Sequence, residues 1–196
     1  VQSVLVVSLG CETIQGPELL PKINQELSRL LVIQESGGAT GTFESGVKDA
    51  KWLRENYLSQ KVKVEKLVVG LDIARSISNT ADIKAALTTA GFEVVIQETA
   101  AASEHNMAKL MGQKVHIILS YPDENQPPSG FPLIPVINIA STSPLHQALI
   151  SEFDLAESAS NSEIIDLIKK VANGEKSKAE ISGIGEIVAP RAVRSV

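Results

Sequence analysis

Cysteine is almost missing: Cys11 is the single one among 196 residues. No disulfide can form within the chain, which fits a reducing compartment such as the cytoplasm. Basic excess is missing too, with 18 Lys and Arg against 23 Asp and Glu, a net charge of −5. Aromatic residues make up only 4%, and no Lys/Arg stripe is interleaved with them, which argues against nucleic acid as a partner. No apolar run approaches the roughly 20 residues that a membrane helix needs. The apolar start, Val1 to Leu9, lacks a basic leader and a small-residue cleavage site, so it does not read as a signal peptide. Internal repeats and low-complexity tracts are absent as well. What is present, 43% hydrophobic and 21% charged residues, is the composition of a soluble globular protein long enough to bury a sizeable core. The first residue is Val1 rather than Met, already inside an apolar β-type run. That opening reads as processing or as a piece cut from a longer protein, with further site residues upstream.

Short apolar runs bounded by turn residues occur at Val4 to Leu9, Leu31 to Gln34, Leu67 to Leu71, Phe92 to Gln97, Val115 to Leu119 and Leu133 to Ile139. Their near-continuous hydrophobicity predicts strands covered on both faces. Helical spacing lies between them. Pro17 and Pro21 frame the start of a helix expected to run through Leu27 and Leu30. A second carries Val47, Trp52 and Leu53, and a third, from Asp82 to Thr89, is stopped by Gly91. In "SNSEIIDLIKKVANGE" Ser160 and Glu163 make a capping-box pair, Ile164, Ile168 and Val171 share a face, and Gly174 ends the helix. Strands alternating with helices imply βαβ crossovers and an open, mainly parallel, Rossmann-like α/β sheet. The polar stretch Tyr57 to Lys66 suggests two lobes, 1–62 and 63–196, with one continuous domain as the alternative. The proline-rich stretch Ser120 to Pro135 reads as a long surface loop, a lid or a hinge.

Loops at the carboxyl ends of parallel strands are where open α/β sheets bind ligands. "GCETIQGP" and "QESGGATGTFESG" occupy such positions. Gly37, Gly38 and Gly41 permit close backbone approach, and amides at the following helix start can hold an anion; an ordinary glycine turn is the alternative. The stretch is neither GxGxxG nor a P-loop, so nucleotide binding rests on fold analogy alone. Cys11 and Glu12, with Gln34 and Glu35 at the next strand end, have metal-ligating chemistry without a fixed ligand spacing; a buried, inert cysteine is the alternative. In "VIQETAAASEHN", Glu98 ends a strand, and Glu104 and His105 begin a helix. A carboxylate and an imidazole there suit general base and acid, or metal ligation. Glu104 and His105 diverge by about 100° on a helix, so only one faces a site. His116 reads as a satisfied core histidine and His146 as solvent-facing at a helix start. Ser141, Thr142 and Ser143 read as a cap before Pro144 rather than as ligand hydroxyls.

Three stretches together with the tail resemble the altronate and galactarate dehydratases and the related sulfolactate lyases. "VLVVSLGCETIQ" is similar to that family's strand followed by Leu-Gly-Cys-Glu. "LVIQESGGATGTFESGVKDAKWL" resembles its Ile-Gln-Glu, glycine pair and Thr, and "AGFEVVIQETAAASEH" its segment ending in Glu-Thr and followed by Glu-His. The tail "IIDLIKKVANGEKSKAEISGIGEI" is similar to its closing helix and Gly-Glu segment. The resemblance covers nearly the whole chain in order. It implies a metal-dependent hydro-lyase acting on a polyhydroxy carboxylate such as altronate or galactarate, with a divalent ion, Fe2+ or Mn2+. Carried over by position, Cys11 and Glu12 are metal ligands, Gln34, Glu35, Gly37, Gly38, Thr40 and Thr99 bind substrate, and Glu98 and His105 are catalytic. An upstream domain or small partner subunit is implied, with a homo-oligomer left open. The chain departs from the pattern after its third strand. Gly70 and Leu71 are followed by Asp72, Ile73, Ala74, Arg75, Ser76 and Ile77, where the family has Gln-Cys-Gly-Gly-Ser-Asp, so Arg75 stands where backbone would approach a ligand. Pro127, Pro128, Ser129 and Gly130 replace its Thr-Gly-Arg-Gly-like stretch. The alternative is therefore a divergent, non-catalytic homologue that binds a small carboxylate or serves as a structural subunit.

Overall fold

The computed structural model describes residues 3–23, 26–56, 63–75, 77, 79–98 and 103–185, apart from the side chains of 103 and 104. The chain forms two compact units, Val1–Lys63 and Val64–Val196. Its class is mixed α/β, and every pairing between named strands is parallel.

In the first unit β1 (Val4–Ser8) is followed by a short α1 (Gly16–Leu19), β2 (Ser28–Val32) and α2 (Gly38–Asn56). β1 and β2 pair in parallel from Val4 with Ser28 to Ser8 with Val32. The helix expected to run from Pro17 through Leu30 is corrected. α1 lasts one turn and tightens into a 3₁₀ turn at Leu20–Lys22, Ile23 is extended, and Leu30 lies on β2. Pro21 supplies the reason: it has no N–H for a continuing α-helix, so a new conformation starts after it. β2 consequently begins three residues earlier than its hydrophobic run suggested and ends at Val32, short of Gln34. The expectation that all strands are covered on both faces also fails in this unit. Val7 is 52% exposed, because one helix and a one-turn helix cannot cover both sides of a two-stranded ribbon. α2 begins at Gly38, inside the stretch read as a glycine loop, and carries Trp52 and the buried Leu53. The Arg29 guanidinium lies 3.6 Å above the Trp52 ring, tying α2 to β2 by a cation–π contact.

The second unit holds β3 (Val68–Ile73), α3 (Thr80–Thr89), β4 (Glu93–Glu98), α4 (Ser103–Gly112), β5 (Ile117–Tyr121), β6 (Val136–Ala140), α5 (Pro144–Ala148), β7 (Leu155–Ala156), α6 (Asn161–Ala172) and α7 (Lys178–Ser182). The sheet order is β4-β3-β5-β6-β7. Counted within the unit this is 2-1-3-4-5, a doubly wound order in which the chain reverses direction between its first and third strands, β3 and β5. Alternation along the strands sorts the core. Leu71, Leu119, Ile137 and Ile139 meet α3 and α6 through Ile83, Leu87, Ile164 and Ile168, while Ile118 and Val136 meet Met107 and Leu110 of α4. β3, β5 and β6 are thus covered on both faces, as their apolar runs predict. The capping box of Ser160 and Glu163 forms, and α3 ends just before Gly91. β7, two residues long, carries no sequence signal.

The proline-rich stretch is not a lid. Ser120 and Tyr121 belong to β5, and Pro128, Gly130 and Phe131 are buried. His146, expected in solvent, is fully buried and pins this segment. Its Nδ1 accepts the Ser141 N–H at 2.8 Å, and its Nε2 faces the carbonyls of Gln126 at 2.8 Å and Asp123 at 3.1 Å. Two carbonyls on one side and an N–H on the other fix the Nε2–H tautomer. Ser143 caps α5 as expected, but His146, three residues on, turns inward to the 123–126 backbone. His116 is half-buried, and its Nδ1 accepts the Val68 N–H at 2.9 Å.

Candidate functional site

Parallel pairing puts the loops after β1 and β2 side by side. The ladder runs on past the strands: Ile33 N–H donates to Ser8 C=O at 2.9 Å and Gln34 N–H to Leu9 C=O at 3.4 Å. Within the first loop the Glu12 carboxylate folds back to accept Leu9 N–H at 2.9 Å and Gly10 N–H at 2.6 Å, and Gln15 Nε2 donates to Glu12 C=O. Backbone amides, its own first and then those of Gly10 and Leu9, hold the Glu12 carboxyl below its ordinary pKa, against a desolvation effect in the other direction. Gly10 has φ +107, and a Cβ there would lie 2.9 Å from Gln34 Oε1 and 3.0 Å from Val32 Cγ1. The glycine therefore lets the Gln34 amide sit directly on the turn. In the second loop Gly37 and Gly38 both have positive φ, +81 and +74, and the chain passes from them into α2.

The structure thus brings Glu12 and Gln34 together at Gly10, with Cys11, Glu35, Gly37 and Thr40 exposed and Gly38 half-buried on the same two loops. Thr42 of α2 turns its hydroxyl back to Gly38 C=O at 2.7 Å. Cys11 is exposed, so the buried-cysteine alternative does not hold. Neither does a resident metal find its ligands here. Glu12 commits both oxygens to its own turn, and among the described residues no three His, Cys, Asp or Glu side chains gather to hold an ion. Cys11 and Glu12 by themselves do not fit a metal centre.

In the second unit Glu98 closes β4 in register with Ile73 and is exposed, and His105 is exposed on the first turn of α4. Its neighbour Asn106 is fully buried, the divergence expected of adjacent helical positions. Thr99 lies outside the described residues, as does the side chain of Glu104.

Polar groups that the sequence reading named only as departures from the family pattern, Asp72 and Arg75, lie with Ser120 and Asn106 in and at the edge of this sheet. Asp72 and Ser120 project from β3 and β5 with no exposure. The Asp72 carboxylate accepts from Ser120 Oγ at 2.6 Å and from Asn106 Nδ2 at 2.7 Å. At the carboxyl edge Arg75 follows β3 with its side chain 5% exposed, and its Nη1 pairs with Glu157 Oε1 at 2.9 Å. Its Cζ stands 5.6 Å from the Tyr121 ring centroid. The available signal was "LVVGLDIAR": a carboxylate inside a buried strand and a guanidinium just beyond it must each find a buried partner.

No protein-family model, no curated protein and no solved structure matches this chain. Among the described residues no helix is long and apolar enough to cross a membrane.

Proposed function

We propose that this chain is an α/β domain of the altronate and galactarate dehydratase type, which binds a polyhydroxy carboxylate for loss of water. An upstream domain or small partner subunit completes it. One observation carries the reading. In the first unit Cys11, Glu12, Gln34, Glu35, Gly37, Gly38 and Thr40 follow the carboxyl ends of β1 and β2, and in the second Glu98 closes β4, each at the kind of edge where open parallel sheets hold ligands. The resemblance of these same stretches to that family supplies the reaction.

In such an elimination a base takes the proton from the carbon bearing the carboxylate. The hydroxyl on the next carbon is protonated and leaves as water, and the enol formed becomes a 2-oxo-3-deoxy acid. Glu98 has the chemistry of the base and His105 that of the acid. The first unit by itself offers Gln34, Glu35 and Thr40 as hydrogen-bonding groups for hydroxyls, and the first turn of α2 offers amides for a carboxylate. No step is routed through a metal, because Cys11 and Glu12 do not make a ligand set.

The non-catalytic alternative has an observation of its own. Where the family's glycine pair would open the loop after β3, Arg75 is buried and paired with Glu157, which favours binding an acid over transforming it. The protein, together with its upstream domain or partner subunit, is incubated anaerobically with altronate or galactarate, with and without ferrous or manganous ion. Binding is followed by calorimetry and 2-oxo acid as its semicarbazone. Product that falls at least about 100-fold in Glu98→Gln supports the dehydratase. Acid binding without product supports the second reading, and neither binding nor product overturns both.

A further inference from the structure

Arg75 leaves part of its hydrogen-bonding capacity unused. A guanidinium carries five N–H donors. Here Nη1 serves Glu157, and Nη2 reaches Ile139 C=O at a long 3.4 Å. Nε is buried with no partner, and so is the Tyr121 hydroxyl beside it. Burying a guanidinium is costly unless its donors are used, and a phenol O–H buried without an acceptor carries its own penalty. Both lie at the carboxyl ends of β3 and β5. Ala74 N–H donates to Tyr121 C=O at 3.1 Å, so the ladder between the two strands persists to the residue before Arg75. That is the reversal point of the doubly wound order, the position at which open α/β sheets bind ligands.

Glu157 lies just past β7, and its side chain is 44% exposed against 5% for Arg75. The ion pair is therefore reached from solvent through the carboxylate. With nearly half of the Glu157 side chain in solvent, Glu157 can turn out to water while an incoming carboxylate takes its place on Arg75. A second donor stands ready in Tyr121: burial raises its pKa above the ordinary tyrosine value, with Arg75 opposing and Glu157 adding to the rise, and the O–H stays protonated.

We propose that the carboxyl edge between β3 and β5 is a binding site for a small organic acid, with Arg75 as the hook, Tyr121 as a second donor and Glu157 as an internal carboxylate that the ligand displaces. The preference for carboxylate over phosphate follows from the group already seated on Arg75. The proposal deepens the acid-binding reading, on whose Arg75 it rests, and requires neither dehydration nor any residue of the first unit.

The test follows the Arg75 Nε–H resonance by NMR while the whole chain is titrated with galactarate, gluconate or inorganic phosphate. The expected result is a saturable shift with at least one of the two acids. Removing the internal competitor with Glu157→Gln should tighten that acid roughly fivefold, and Tyr121→Phe should weaken it by a similar factor. Gln34→Ala should leave the titration unchanged, which separates this site from the one on the first unit. Glu157→Gln sits at a half-exposed position, so its fold is retained and the readout survives if Tyr121→Phe proves unstable. The proposal is overturned if neither acid moves the Nε–H signal in wild type or Glu157→Gln, if Glu157→Gln leaves affinity unchanged, or if phosphate binds as tightly as the acids.

Discussion

Gly10 holds the first unit's candidate site together. Its backbone, at φ +107, is one that L side chains avoid, and the space a Cβ would need is taken by Gln34 and Val32. Replacing it with Ala adds both backbone strain and a clash, at a cost of about 1–3 kcal/mol. Trp52 is the single tryptophan and belongs to this unit, so its fluorescence during urea unfolding reads the effect directly. The expected outcome for Gly10→Ala is a transition at lower urea together with weaker acid binding. An unchanged transition would mean that the Gln34 contact at the turn is not formed in solution. Glycine at such a position was visible in "LGCE", but the partner across the turn was not: only parallel pairing of β1 with β2 brings Gln34 there. The inward turn of His146 was hidden for the same reason. Nothing local to "STSPLHQA" shows that two carbonyls some twenty residues upstream await a donor.

Among the elements, α6 shows best how a local pattern becomes structure. Ser160 N–H donates to the Glu163 carboxylate at 2.8 Å, and Glu163 N–H donates back to Ser160 Oγ at 3.3 Å. The bonds that reach the carboxylate, from the Ser160 N–H first and from the Ser160 hydroxyl, at 2.7 Å, second, hold the Glu163 carboxyl below its ordinary value of 4.5. A carboxyl with a lowered folded-state pKa stabilises the fold above its unfolded value, and that contribution is lost as pH falls through the folded value. Wild type should therefore be more stable than Glu163→Gln at neutral pH. The gap should narrow from about pH 4.5 downward in denaturant titrations across pH. A gap that is constant with pH would mean that the ionised carboxylate is not what caps the helix. The same helix was fully legible in sequence, because cap, apolar face and terminating Gly174 all lie within one short segment. α1 was not, because the prolines that permit a helix start also forbid its continuation, and the pattern of leucines beyond them belongs to a strand. β2 was displaced for a related reason: its paired residues include the polar Ser28 and Arg29, which a search for apolar runs passes over.

For the whole molecule, the α/β class and the parallel sheet followed from strands alternating with helices, and the strongest runs became the doubly buried β3, β5 and β6. Strand order is set by packing between distant segments, and sequence spacing alone leaves it open. It is that order which puts the reversal point between β3 and β5 and turns Arg75 from an obstruction into a candidate hook. The retained residues after β1, β2 and β4 and the buried Arg75 lie at the carboxyl ends of parallel strands, which makes acid binding at those ends the central claim. Its most direct test is an anaerobic thermal-shift screen of the chain against altronate, gluconate, galactarate and sulfolactate, each with and without ferrous or manganous ion. At about 100 times its Kd a ligand bound only to the native state adds about 2.7 kcal/mol, a rise of about 5–10 °C for a chain of this size. The account predicts such a rise with at least one acid, reduced in Arg75→Lys or in Gln34→Ala. Melting temperatures that no acid moves, with either metal or none, would contradict it.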